Sequence, residues 1–600
     1  MAGKCAIHEV LDEYAGSYRE AFRKNAAETY EDLVRRSGVD AEANKNTVRR
    51  IKALKKLLEE TAGRLRFFRT VHFFCILLIL AGFCVAGLFL YSLFAPEKGE
   101  SSFRFPDVYW GISGFLAAVA LLFFRSLVLK KRIDGLKAVA GEKQAELEEK
   151  LREAYAQMAP LNSLFRWDTV TDLVMKSCPI FTFDKFFSWS RMADLAENFH
   201  WDGASERPDS SVLFCHSGSI NKSPFVLAET RDFSMGTKVY TGTLVISWRE
   251  PVTYRDEKGN VRTRMETRTE TLVATLEKPF PEYCRRKFLV YGNAAAPALS
   301  FSRSPSGLAG PGGGFFARMR LRSAVRTLLK MSNDMTTPFT ILSNHEFDAV
   351  FSALDRSDEK AFRLLFTPLA QQEMLKILRD WKYGFGEKFS FLKRGMINVV
   401  FPDGALENFD FSASPALFFD YDLTSSEKKF NDYCNEFFRR IYFSFAPLLA
   451  IPLYQQEEGG AFREADPGLA RYASPWECEA LANDYDPALF RPPSCVTECI
   501  LKTSRRDGEG PAALTVTSRG FCAKDRVTLV PVYGGDGKWH DVPVHWKEYL
   551  PVRKTTPLLL REAVEEEDSR GRGELFAGRK VSHVRFRRNI VSCILEDAGE

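Results

Sequence analysis

Two segments near the start of the chain abandon the usual mixture of polar and apolar positions. Val71 to Phe94 runs for 24 residues and Val108 to Phe124 for 17 without a formal charge. At a helical rise of about 1.5 Å per residue, each can cross or nearly cross a bilayer core. Phe73 to Leu90 is apolar or small on every side, whereas a soluble core helix keeps a polar face. The pattern predicts transmembrane helices at 71–94 and 108–129, joined by an extracytoplasmic loop at 95–107. The second continues past Arg125, whose long stem can reach the headgroups, and begins beside Tyr109 and Trp110, which suit an interfacial aromatic belt.

Basic residues set the expected orientation. Lys52, Lys55, Lys56, Arg64, Arg66 and Arg69 precede the first segment, and Arg125, Lys130, Lys131, Arg132, Lys137 and Lys143 follow the second, while the connection holds only Lys98 and Arg104. By the positive-inside rule this is a hairpin with both ends cytoplasmic, a multi-pass arrangement in an inner (cytoplasmic) membrane. The first seventy residues are too charged for a cleavable signal peptide.

Around the hairpin the apolar spacing is helical. Residues 7 to about 65 carry Leu11, Tyr14, Tyr18, Phe22, Tyr30 and Leu33 on one face, then Ile51, Leu54, Leu58 and Leu65. Leu136, Ala140, Leu147, Leu151, Ala154 and Met158 repeat the stripe on the exit side. A cytoplasmic helical segment at 1–70 and a stalk helix at 130–160 are expected to pack as an antiparallel, coiled-coil-like stalk, a possible route to a homo-oligomer.

Beyond residue 160 the pattern changes to short alternating runs. Ser211–Cys215, Phe225–Glu229, Lys238–Trp248, Thr269–Leu276 and Lys287–Tyr291 read as strands, with a hairpin tip at Asp256–Asn260. Ser302–Gly314 reads as a mobile loop. Helices are expected at Ala317–Asn333, Asp358–Trp381 and Ser425–Leu448, and strands at Thr340–Leu342, Phe389–Leu392 and Met396–Phe401. This is an α+β domain over 161–456. A polar boundary at Glu457–Pro467 separates it from a β-rich C-terminal domain at 457–600, whose expected strands include Ala513–Ser518, Val527–Tyr533 and Val581–Leu595.

Composition narrows the partners. With 83 basic and 78 acidic residues the net charge is +5, far from a nucleic-acid-binding balance, so no nucleic-acid partner is expected. The 12 cysteines are scattered, and a reducing cytoplasm argues against a disulfide framework. Fifty phenylalanines, many outside the apolar segments, imply an aromatic-rich core.

The middle of the chain carries Gly218, Ile220, Lys222 and Phe225, then Tyr240, Gly242 and Leu244, then Lys278, Pro279 and Phe280. Further on come Phe347, Phe351, Asp358, Ala361 and Arg363 to Pro368, and the run Phe389, Phe391, Ile397 and Val399. Over about residues 50 to 455 this order resembles an uncharacterised bacterial membrane-protein family, a domain of unknown function also found in mycoplasmas. The resemblance implies an N-terminal transmembrane hairpin and a cytoplasmic α+β domain, and no activity. Thr271 and the Tyr283 to Arg286 stretch stand where the family pattern has glycines, and the tail after 460 has no counterpart in it.

Candidate chemistry is sparse. Cys478, Cys495, Cys499 and Cys522 with His540 and His545 offer zinc-type donors, but only Cys495 and Cys499 have ligand spacing. Asp420 and Asp422, two apart on an expected strand, share a face and could hold a cation or divide acid and base roles; Asp355, Asp358 and Glu359 cluster nearby in sequence. Cys215 and His216 are adjacent, so on a strand they point to opposite faces. Gly310–Gly314 precedes Arg318, Arg320, Arg322 and Arg326 and suggests an anion cradle, without the ending of a P-loop. Structural roles account better for all of these, so no catalytic, cofactor-binding or metal-ligating residue is assigned and no cofactor is expected. The expected function is a membrane-anchored cytoplasmic binding or scaffold protein, with the lipid bilayer and a protein as partners; the alternative is a membrane-tethered metal-dependent enzyme.

Overall fold

The computed structural model describes residues 7, 9–94, 105–204, 207–255, 261–310, 314–334, 339–456, 467–506, 512–562, 576 and 580–595. Most of the expected loop at 95–107, the hairpin tip at 256–260 and the boundary residues 457–466 lie outside this set. The chain mixes helix and sheet. Its principal helices are α1 (Ala41–Phe94), α2 (Phe105–Phe124), α3 (Lys130–Asn162), α4 (Phe315–Asn333), α5 (Leu423–Leu449) and α6 (Pro475–Asn483). The strands are β1 (Phe181–Phe183), β2 (Ser210–Ile220), β3 (Ser223–Arg255), β4 (Val261–Gly292), β5 (Ser300–Arg303), β6 (Ser390–Arg394), β7 (Ile397–Phe401), β8 (Ile500–Arg506), β9 (Ala512–Tyr533), β10 (Trp539–Arg561), β11 (Val581–Arg587) and β12 (Ile590–Leu595). Contacts divide them into two units, Ala27–Arg166 with Ser414–Tyr433, and Met1–Ala26 with Trp167–Ala413 and Cys434–Glu600.

The first unit is helical. The predicted helix over 7–65 is interrupted because Gly38 adopts φ +64°, a left-handed conformation that glycine enters without steric cost. Asp40 Oδ1 then accepts from Glu42 and Ala43 N–H at 2.9 and 3.0 Å, capping the start of α1. Ile51 and Leu54 of α1 meet Leu147 and Ala154 of α3, with Leu58 and Leu151 alongside, so the two apolar stripes do face each other. Further along, Cys75, Ile79 and Ala86 are buried on α1, and a Cβ added to Gly82 would lie 3.0 Å from both Ala118 Cβ and Gly114 O of α2. Such a seam of small residues lets helix backbones approach closely. Arg125 begins a π-helical turn (Arg125–Leu129) between α2 and α3 and donates to His72 Nε2 at 3.0 Å. Facing outward from the same seam, Phe73, Phe74, Leu77, Leu78 and Leu80 are exposed.

In the second unit two antiparallel sheets follow the orders β1-β2-β3-β4-β7-β6-β5 and β11-β12-β10-β9-β8. The separate strands expected at Phe225–Glu229 and Lys238–Trp248 are one strand, β3, and those at Thr269–Leu276 and Lys287–Tyr291 are one strand, β4. The two pair continuously from Phe225 opposite Tyr291 to Arg255 opposite Val261. Polar residues between the apolar runs do not break a strand whose backbone N–H and C=O groups on the facing edge are paired across the ladder. β9 and β10 form a second long ribbon, from Ala512 opposite Leu560 to Tyr533 opposite Trp539. The ribbons pack face to face through Ile246, Leu272 and Ala274 against Val542 and Val544. At Gly242 the ribbons come close enough that a Cβ would run into Pro543 O.

The core is aromatic. Phe22 stacks on Phe438 of α5 with ring centroids 4.4 Å apart, and Phe301 packs against Phe351, Phe362, Phe366 and Phe391. The helix expected over Asp358–Trp381 is two helices, Glu359–Leu365 and Pro368–Arg379, because Thr367 caps the second and Pro368 cannot donate a backbone hydrogen bond to the first. Thr340–Leu342 is not a strand.

Replacing Gly242 by valine pushes a branched side chain against the backbone of β10, which no rotamer relieves. A loss of about 1–3 kcal/mol is expected, read as a lower denaturant midpoint of the full chain. An unchanged midpoint would show that the ribbons do not pack at this point.

Candidate functional site

A cleft of about 370 Å³ lies on one face of the seven-stranded sheet. Side chains two apart on a strand share a face, and this alternation builds the floor. Phe288 and Val290 of β4, Ile397 and Val399 of β7 and Leu392 of β6 all line the cleft, in a register that sets Val290 and Leu392 opposite Val399. The same alternation brings Arg286 and Arg394 to it from the ends of β4 and β6.

The opposing wall comes from α6 and from Trp201. The start of α6 is fixed by Ser474, whose Oγ accepts from Glu477 N–H at 3.2 Å, with Pro475 at the first helical position. Trp476 then meets Trp201 edge to face at 5.0 Å. One turn on, Glu479 accepts from Val212 N–H at 3.0 Å and from Lys502 Nζ at 2.6 Å. Behind the wall the Glu477 carboxylate is wholly buried and accepts from Phe187 N–H at 3.0 Å and from the Cys215 thiol at 3.4 Å. Arg588, in a tight β11–β12 turn where it and Asn589 have φ +44° and +63°, donates to Cys215 O at 2.8 Å. Burial and the adjacent Arg587 charge bring its guanidinium down to about 10, against the pull of Glu477.

The electrostatics of the cleft are uneven. Four lysine and arginine side chains, Arg207, Arg286, Arg394 and Lys502, line it against two carboxylates, Asp202 and Glu479. Lys502 is matched by Glu479, and Arg286 pairs with Asp232. Among the described residues no carboxylate forms an ion pair with Arg207 or Arg394. An apolar slot walled by two indoles, with unmatched guanidinium groups at its margin, suits a flat organic anion.

The residues singled out from the sequence are elsewhere. Cys478 is buried in the core, where burial pushes its thiol up to about 12 against the pull of Arg505. Cys495 and Cys499 do meet, Sγ to Sγ at 3.6 Å, beside Gly520. Cys522 stands opposite Leu550, His545 opposite Val527, and His540 lies 3.0 Å from Asp536. Among the described residues no three metal-ligating side chains converge.

Asp420 and Asp422 are not on a strand; they precede α5. Asp420 Oδ1 accepts from Asp422 N–H at 3.1 Å, and its Oδ2 takes Ser425 Oγ and Lys429 Nζ, both at 2.7 Å. A short acidic side chain that can bond to its own following amides favours a helix start over a strand. Asp422 pairs with Lys52 at 3.0 Å. Asp355 accepts from Ser302, Asp358 caps a helix and Glu359 holds Arg356, so this cluster also organises local structure. Cys215 and His216 are both buried, the thiol raised and the imidazole lowered chiefly by burial.

Upstream of the Gly310–Gly314 candidate, Glu387 accepts from the backbone N–H groups of Ser306, Gly307 and Ala309 at 3.1, 3.2 and 3.3 Å. Residues 311–313 lie outside the described set. Sequence reasoning missed the cleft altogether. Its one local signal was the Ser474, Pro475 and Glu477 combination of a capped helix, within a tail read as strands and turns. No protein-family model, curated protein or solved structure matches the chain.

Asp420 makes acid stability testable. Burial raises its carboxyl, but the Lys429 and Ser425 hydrogen bonds outweigh this and hold it below the ordinary value of 3.8. A depressed folded-state value gives stability that is present above the unfolded value and is lost as pH falls through the folded one. Asp420→Asn is therefore expected to flatten the acid limb of the unfolding midpoint below about pH 4. An acid limb identical to wild type would remove Asp420 from the account.

Proposed function

We propose that the chain is a membrane-anchored binding protein. The observation that carries this reading is the exposure of its most apolar helical surface: the 18-residue apolar windows in the two long helices bury only 17% and 11% of their residues. Soluble proteins rarely leave so large a contiguous apolar surface in water, and the core helix of a globular domain would be mostly covered. In this reading α1 and α2 cross the bilayer as a hairpin held by the Gly82 seam, and the basic flanks keep both ends on the cytoplasmic side. The α1 and α3 stripes form the stalk, and the cleft of the second unit takes an amphiphilic organic anion.

Washing membranes with alkaline carbonate tests the anchor. The full chain is expected to stay in the pellet, and protease added to the periplasmic face, or to protoplasts where there is no outer membrane, is expected to spare a C-terminal tag. Release into the wash would remove the anchor, and cleavage of the tag would reverse the orientation.

Calorimetry with naphthalene-1-sulfonate on the full chain in nanodiscs tests the cleft. The paired change Arg207→Gln and Arg394→Gln is expected to weaken binding about tenfold, the scale of one charge-assisted hydrogen bond, while leaving uncharged naphthalene unaffected. Equal binding of the sulfonate by both proteins would move the anion site elsewhere.

A further inference from the structure

Helix α4 belongs to neither the cleft nor the apolar windows, yet its surface is unusual. Leu321, Ala324, Val325, Leu328 and Met331 pack inward against Leu308, Phe339 and Ile341. The opposite stripe, at the helical spacing i, i+4, i+7, i+11 and i+15, reads Phe315, Met319, Arg322, Arg326 and Lys330. Arg318 and Arg320 flank it, and no aspartate or glutamate occurs anywhere from Phe315 to Asn333. Phe315, Phe316 and Met319 are 71%, 74% and 53% exposed, the first two more so than any other described phenylalanine outside α1 and α2. Among the described residues no carboxylate forms an ion pair with Arg320, Arg322, Arg326 or Lys330.

We propose that α4 is a peripheral membrane-binding helix that lies on an anionic lipid surface, its cations on the headgroups and Phe315, Phe316 and Met319 inserted at its N-terminal end. Charge complementarity selects the occupant. A run of five lysines and arginines with no acidic interruption fits a surface of phosphate groups, and each cation near such a surface contributes about a fivefold gain in binding. The apolar residues select lipid over nucleic acid: they are gathered at one end of the helix as a wedge, not interleaved among the arginines where bases could stack on them. Tertiary packing already holds the helix formed, so binding requires no further ordering of α4. The inference does not depend on the membrane spans, because it rests on a different helix in the other unit.

The test uses the full chain in phosphatidylcholine nanodiscs, which cover the apolar windows, mixed with added vesicles and separated by flotation. Capture on phosphatidylglycerol-containing vesicles is expected, falling at high salt, with little capture on phosphatidylcholine alone. Two surface variants should each reduce capture about tenfold or more: Arg320→Gln with Arg322→Gln and Arg326→Gln, and Phe315→Ser with Phe316→Ser. Unchanged melting by circular dichroism would establish that both remain folded. Capture that survives both changes overturns the proposal. So does loss with the arginine variant alone, which would indicate unspecific charge attraction, or tighter binding to a poly-uridine probe than to vesicles. Carbonate extraction of the same variants reports the anchor separately, so failure of α4 and failure of the spans are distinguishable.

Discussion

The architecture around the cleft depends on two buried carboxylates carried two residues apart on a nine-residue helix. Glu477 and Glu479 of α6 are 0% and 3% exposed, and a carboxylate buried without partners costs several kcal/mol. Each accepts from a backbone amide of a distant segment, Phe187 N–H for Glu477 Oε2 and Val212 N–H for Glu479 Oε2. β1 reaches only the far end of β2, pairing at Gly218, Ser219 and Ile220. Near Ser210 that edge of β2 is instead covered by α6, where Asn483 adds bonds to Ser211 Oγ and Val212 O at 2.8 and 2.9 Å. The side chains that satisfy the strand edge thus hold Trp476 over the sheet and give the cleft its second wall.

The same economy of partners gives the acidic features singled out from the sequence structural roles. Glu387 holds the amides of Ser306, Gly307 and Ala309, Asp355, Asp358 and Glu359 close local turns, and Asp420 joins the start of α5 to Lys429. In each case the carboxylate sits where backbone amides or a cation already neutralise it. Among the described residues, cations without an ion pair to a carboxylate lie at the cleft, Arg207 and Arg394, and along α4, Arg320, Arg322, Arg326 and Lys330.

Legibility from sequence followed the range of the interaction involved. The helix expected at Ser425–Leu448 is found as Leu423–Leu449, since its apolar spacing is a local signal. Phe366, Thr367 and Pro368 carried a local stop that the apolar pattern obscured. The length of β3 was not legible, because Arg231 to Thr237 looks like a turn in isolation and becomes strand only when β4 supplies its hydrogen bonds. Nor was the cleft, whose floor joins residues from 288 to 399 and whose wall begins at 475.

By itself the sequence determined the two apolar windows, the basic residues beside them and the mixed helical and strand character, because each depends on residues within a few turns of one another. Only the tertiary structure decided that the windows remain uncovered, that β3 and β4 extend as one ribbon, that Glu477 and Glu479 carry α6 across β2, and that α4 shows a basic, aromatic-tipped face to solvent. Those outcomes depend on which distant backbone or side chain arrives to satisfy a group. No periodicity in the chain encodes that.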